Sequence, residues 1–290
     1  MRDYVSLIID IEKSRIYNME ERNEVQYYLT YYVKSLNKLF EQQLECEVTF
    51  SAGDELQGLF RDVTTALLYF RMLEMLIDPV NLRAGIGIGE WTVKISNGLS
   101  TQQDGPAYHR ARKAIEEVYK MQLHNIRVCS EKDNTLVNHL INASMLLKRQ
   151  QVYTQNMVLI IMELLYPFIR INTEFSEYQE IGELLKYKFK YRINKKAELV
   201  FAGKEKNFKY SHIQIGQIQM VDSIVIDGKI IEAEDAISKR NMATVLSNIL
   251  GCTRQNVDSI MKRGNANKIR ELDFIALQYL EKEYGGEKWN

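Results

Sequence analysis

Cysteine is scarce in this chain: Cys46, Cys129 and Cys252 stand far apart in 290 residues. Neither a disulfide framework nor a zinc knuckle is readable from that spacing, and the usage fits a reducing cytosol. Excess charge of either sign is missing too, since 38 Lys+Arg balance 38 Asp+Glu. Any preference for nucleic acid or anionic lipid must therefore be local. No long hydrophobic run is present either. The most apolar stretch, Met157 to Ile171, contains Glu163 and Pro167 and falls short of a membrane span. Residues 1–9 form an apolar strand without a basic leader or small-residue cleavage site, so no signal peptide is expected. Internal repeats and low-complexity tracts are also lacking. These absences point to a cytoplasmic protein with no membrane partner.

What is present is an ordinary core: 46% of residues are hydrophobic, and the length favours more than one domain. The first half alternates strands and helices. Val5 to Asp10 is a short apolar strand ending in a carboxylate, and residues 19–44 place apolar groups at helical spacing. Cys46–Phe50 and Glu55–Phe60 read as strands joined by Ser51-Ala-Gly-Asp54, a hairpin signal. A helix over Thr64–Ile77, a glycine-interrupted strand over Leu82–Ile95, a helix over Pro106–Met121 and a strand over Asn125–Cys129 follow. The order β-α-β-β-α-β-α-β begins as ferredoxin-like sheets do, with the first strand central and the hairpin beside it. Asp133 to Phe168 reads as two helices. Tyr178 to Ile237 is basic, aromatic and β-leaning, with Asp227-Gly228 as a hairpin turn. From Ser238 the pattern is helical. The fold class expected is α+β: a palm-like domain over 1–150, a helical and β-leaning connection over 151–237, and a small helix-turn-helix domain over 238–290.

Asp10 closes its strand, and the hairpin tip carrying Asp54 belongs beside it. Two carboxylates at adjacent strand ends make a hard oxygen site suited to Mg²⁺ or Mn²⁺ carrying a polyphosphate. Gly53 permits the tight turn. After Asp10, the turn Ile11-Glu-Lys-Ser-Arg15 is placed to meet phosphate through backbone N–H groups, Lys13, Ser14 and Arg15; an ordinary N-cap with solvated charges is the plainer reading. Gly85, Gly87 and Gly89 bare one face of a strand, which requires a helix, another strand or a base to pack there.

Asp10-Ile11, Gly53-Asp54, the Gly85–Gly89 strand and Asp104–Glu116 together resemble the SatD family of bacterial proteins, itself similar to class III nucleotide cyclases. The resemblance covers about residues 3–130. It implies that Asp10 and Asp54 bind metal ions, helped by the Ile11 carbonyl. Ala52-Gly-Asp-Glu-Leu56 also looks like the signature turn of diguanylate cyclases, which implies a metal role for Glu55. The same comparison puts Phe50 and Gln102 at base-selecting places, where cyclases carry polar residues. It puts His109 and Lys113, or Arg112 after a one-residue shift, at the places that orient ribose and stabilise the transition state. Lys13 stands where cyclases have glycine. Metal and triphosphate binding survive this comparison better than cyclisation, and His109 to Lys113 read equally as a solvated helix face.

Asn241 to Arg263 matches a helix-turn-helix: Ser247 lets two helices approach, Gly251 supplies a left-handed turn, and Val257 packs inward. Thr253 caps the second helix. Arg254, Gln255, Asn256, Ser259, Lys262 and Arg263 then face outward, suited to base edges and phosphates of double-stranded DNA. Between Ser238 and Arg270 seven Lys/Arg meet one acid, Asp258. The expected protein is a DNA-binding regulator with a nucleotide-binding palm, and a homodimer is expected because operators are commonly two-fold symmetric. The alternatives are an active nucleotidyl cyclase or nucleotidyltransferase with a DNA-binding tail, and a protein-interaction adaptor.

Overall fold

The computed structural model describes residues 3–173, 184–185, 187–188, 218–229, 232–237 and 239–285. Most of the β-leaning Tyr178–Ile237 segment lies outside the described residues. A five-stranded mixed sheet organises the first half. Its order is β2 (Leu44–Ala52), β3 (Glu55–Phe60), β1 (Tyr4–Ile11), β4 (Leu82–Gly89) and β5 (Ile126–Cys129). β1 runs antiparallel to both neighbours, and β5 runs parallel to β4. The first strand is thus central with the hairpin beside it, as its apolar run suggests. A strand covered on both faces has little room for polar alternation. Val5, Leu7, Ile9 and Ile11 enter the main core, whereas Tyr4 and Ile8 serve small clusters on the opposite face.

α1 (Met19–Leu39) starts with a capping box between Asn18 and Glu21 and buries Val25, Leu29, Tyr32 and Leu36. It packs with α2 (Val63–Ile77), whose N-cap Asp62 accepts from the Thr65 amide at 2.8 Å. α3 (Pro106–Val118) lies on the other face of the sheet, directly over the β4 glycines. A Cβ on Gly87 would sit 2.0 Å from the Ala107 carbonyl oxygen and 2.2 Å from the Ala111 nitrogen. The occupant of the bare glycine face is therefore a helix.

Several elements differ from the sequence expectation. β4 ends at Gly89 rather than Ile95; beyond it only Val93 bridges, to Asp104. Residues 133–168 form three helices, not two: α4 (Thr135–Leu140), α5 (Met145–Arg149) and α6 (Tyr153–Leu165). Asn138 and Asn142 impose the break. Asn138 bonds Val128 through N–H and carbonyl (2.7 and 3.0 Å), and Asn142 donates to the Ile126 carbonyl (2.8 Å). Their side chains complete the open edge of β5 and fix α4 there. Asp227-Gly228 closes no hairpin among the described residues. Gly228, at φ 78°, instead follows β7 (Ile224–Ile226), which pairs in parallel with β6 (Phe168–Arg170).

The C-terminal helices are α7 (Ala233–Ile237), α8 (Met242–Leu250), α9 (Arg254–Arg263) and α10 (Ala266–Tyr284). Among the described residues one apolar cluster includes side chains from β1 through to α10. α6 is apolar all round because α2, α8, α9 and α10 surround it. A buried ionic network ties these helices. Arg71 on α2 reaches Glu163 on α6 at 2.7 Å and Asp273 on α10 at 2.6 Å; Arg270 donates to Glu163, and Lys148 lies 3.2 Å from Asp273. No helix among the described residues is long and apolar enough to cross a membrane.

Candidate functional site

The pairing Ile9↔Leu56 makes Asp10 and Glu55 the next residues on β1 and β3, with Asp54 at the turn. Across the other ladder Asp10 pairs with Arg83. Paired residues share a face, so Asp10 and Arg83 lie with Ile8 and the β4 glycines on the α3 side. The turn itself is held from α1: Gln26 donates to the Gly53 carbonyl at 2.9 Å, and Gly53 takes φ 61°.

Burial, and then the charge of Asp54, push the Asp10 carboxyl above the usual carboxylate range, against the pull of Arg83. One Arg83 Nη stands 3.5 Å from Asp10 Oδ2, and the guanidinium lies 4.5 Å from the centre of the Tyr119 ring. Tyr119 bonds Asp10; burial and that carboxylate push its hydroxyl up to about 12. Asp54 Oδ2 is buried and has no hydrogen-bond partner among the described residues. Glu55 is engaged differently. Arg112 grips it with two bonds, 2.5 and 2.8 Å, and the Ser51 hydroxyl donates at 2.7 Å. Burial alone would raise Glu55, but these donors hold it below its ordinary value.

Of the residues expected around this site, Asp10, Asp54, Glu55 and Arg112 come together. Arg83, Tyr119 and Gln26 were not read from the sequence. Two of them left a signal: Arg83 has the same parity as Gly85, Gly87 and Gly89 on one strand, and Tyr119 follows Arg112 by seven, two helical turns on the same face. Ile11 is the buried last residue of β1. Lys13 is exposed at φ 57°, with Ser14 and Arg15 in a single 3₁₀ turn. α1 begins only at Met19, with its first turn closed by Asn18, so no α-helix N-terminus directly follows Asp10. Phe50 pairs with Leu56 and packs on the main core, on the face away from Asp10. Gln102 caps its own loop, accepting from the Leu99 amide at 2.9 Å. His109 is exposed, 3.5 Å from Asp104, and Lys113 is exposed; neither meets the carboxylates. Arg110 is spent on the Ile88 carbonyl (2.6 Å) and Glu131 (2.7 Å). No group of three or more His, Cys, Asp or Glu among the described residues is arranged to hold a metal ion.

In the C-terminal third, α8 and α9 meet at Gly251, at φ 60°, with Ser247 and Val257 buried between them. Thr253 accepts from the Asn256 amide at 3.3 Å and starts α9. Arg254, Gln255, Asn256, Lys262 and Arg263 are exposed, and Ser259 is half-buried. The basic surplus is smaller than the sequence count. Arg270 is fully buried, Lys239 pairs with Asp222 at 2.9 Å, and Lys268 pairs with Glu271 at 3.1 Å.

The SatD family model matches residues 4–215. Among solved structures, one described as a bacterial light-regulated adenylyl cyclase is 14% identical, with TM-score 0.32, covering 44% of this chain and 75% of that chain. A second structure of the same description is 14% identical, with TM-score 0.33, covering 44% of this chain and 43% of that chain. Scores at this level do not establish a common fold. No curated protein matches the chain.

Proposed function

The chain belongs to the SatD family, and from that premise we propose that it is a DNA-binding regulator whose strand-end carboxylates bind a nucleotide together with Mg²⁺ or Mn²⁺. The observation that carries this reading is Asp54 Oδ2, a buried acceptor with no partner among the described residues, beside an Asp10 carboxyl raised by burial and by Asp54 itself. Two half-buried carboxylates repel, and a divalent cation between them removes the repulsion and satisfies the acceptor. Asp10 and Asp54 would hold the ion, which when bound neutralises polyphosphate charge. The turn of Lys13, Ser14 and Arg15, with Lys13 and Arg15 exposed, follows Asp10 by three residues, and a phosphate chain would lie against it. Glu55 is better read as the anchor of Arg112 than as a metal ligand.

Arg112 also favours binding over turnover. The arginine suited to stabilising a transition state is closed on Glu55 at both ends of its fork, and His109 and Lys113 stay at the surface. A cyclase or nucleotidyltransferase would instead release pyrophosphate from a nucleoside triphosphate with Mg²⁺.

In this reading α8, the Gly251 turn and α9 form a DNA-binding helix-turn-helix, with α9 as the recognition helix in a cytoplasmic homodimer. Combining Arg254→Ala with Lys262→Ala is expected to weaken binding to genomic DNA about tenfold or more. It should also lower the salt slope of the affinity by roughly two phosphate contacts. A mobility-shift titration across salt concentrations reads both effects; unchanged affinity contradicts the recognition-helix assignment.

A further inference from the structure

Two polar atoms of opposite character stand without partners at the strand-end site. Asp54 Oδ2 is a buried acceptor, and Arg83 Nε is a buried donor; neither finds a hydrogen bond among the described residues. Buried polar groups are ordinarily paired, and an unpaired one is an invitation to a ligand. A free cation would satisfy Asp54 but would meet the positive charges of Arg83 and Arg112. A free anion would satisfy Arg83 but would meet Asp10, Asp54 and Glu55. A ligand that carries both signs answers both atoms and both sets of charges.

We propose that the site recognises a divalent cation already chelated by a phosphate chain, rather than either component alone, and that Arg83 is the residue that reads the phosphate. This inference rests on the nucleotide–cation reading and names the chemical form in which the ligand binds. Arg83 is placed for an exchange. Its bond to Asp10, at 3.5 Å, is the loose one of the site, against 2.5 and 2.8 Å for Arg112 on Glu55. The Tyr119 ring lies 4.5 Å from its guanidinium and holds part of its charge without using its N–H donors. The β1–β4 register fixes its backbone opposite Asp10. When a cation takes over the neutralisation of Asp10, Arg83 loses its carboxylate and turns its donors to the phosphate oxygens that arrive with the metal. Arg112, bonded twice to Glu55, keeps its place.

The test uses the full chain and three probes: Mn²⁺ alone, inorganic tripolyphosphate with EDTA, and the preformed Mn²⁺–tripolyphosphate complex. Binding is followed by electron paramagnetic resonance for Mn²⁺ and by calorimetry for the other two. The wild-type protein is expected to bind the complex roughly tenfold or more tightly than either component. Arg83→Gln is expected to bind Mn²⁺ alone more tightly than wild type, because Asp10 loses its internal competitor, and the complex about tenfold more weakly. Arg83→Lys, which keeps the charge without the fork, should fall between the two. A residue with a merely structural role would lower both affinities together, and that parallel loss overturns the inference. Equal binding of tripolyphosphate with and without metal overturns it as well. A wild-type protein that binds the complex normally while Arg83→Gln behaves identically removes Arg83 but leaves nucleotide binding standing. Absence of any binding of the complex to wild type removes the nucleotide reading and this inference together.

Discussion

Glu163→Ala is expected to cost about 3–5 kcal/mol of folding stability, measured by urea unfolding followed by circular dichroism. Glu163 is 1% exposed and lies between Arg71 and Arg270, themselves 4% and 0% exposed. One carboxylate oxygen meets Arg71 at 2.7 Å and the other accepts from Arg270. Truncation removes the negative charge from between two buried guanidinium groups, and the desolvation cost of those groups remains. Arg71 keeps Asp273 at 2.6 Å, which limits the loss on that side. The effect should be global rather than local, because Glu163 is on α6, Arg71 on α2 and Arg270 on α10.

The same network sets a pH dependence. Burial alone would raise Glu163, but Arg71 and Arg270 prevail and hold it below its ordinary 4.5; Asp273 is likewise held below 3.8 by Lys148 and Arg71. Groups depressed in the folded state contribute fully above those ordinary values and lose their contribution as pH falls through the depressed ones. Burial raises Asp62 and Asp78, whose effect has the opposite sign. The network therefore shows in the difference between wild type and Glu163→Gln, which should shrink as the pH falls below about 4.5.

The second large effect is Gly87→Ala, which should destabilise the protein by about 3 kcal/mol or more. The atoms a Cβ would strike, 2.0 and 2.2 Å away, are backbone of α3 and cannot rotate aside. The helix must lift from β4, opening the contact of Ala111 and Ile115 with Ile8. Gly53→Ala is the natural comparison. Nothing lies within 4 Å of its added methyl, so only the left-handed backbone at φ 61° opposes it, at about 1–2 kcal/mol. Equal costs at the two positions, in the same unfolding measurement, would contradict the close approach of α3.

Much of the first half was legible because its signals are local. Apolar runs, the Ser51–Asp54 turn and the Pro106 start each act over a few residues, and together they give the strand order around β1. The glycine parity on β4 was legible as a demand for close packing, but the identity of the packing partner was not, because α3 returns to β4 from across a loop. The ionic network was not legible at all. Glu163 reads as an interruption of an apolar helix until Arg71 and Asp273, far away in sequence, are brought to it. For the candidate site, Asp10 and Asp54 were readable from strand ends. Arg83 became visible only through the β1–β4 register. Phe50 was misplaced because the alternation of β2 turns it to the core. Gly251, Thr253 and Val257 took their expected places because caps and left-handed turns depend on immediate neighbours. The basic count there was reduced by partners such as Glu163 and Asp222, which only the fold supplies.

A calorimetric titration of the full chain with nucleoside triphosphates and Mg²⁺, repeated with EDTA and with Asp54→Asn, tests directly whether the strand-end carboxylates bind a metal-bound nucleotide. Saturable binding that vanishes with EDTA and weakens about tenfold or more in the variant is the predicted result. A nucleotide bound equally well without metal, or equally well by Asp54→Asn, would contradict it.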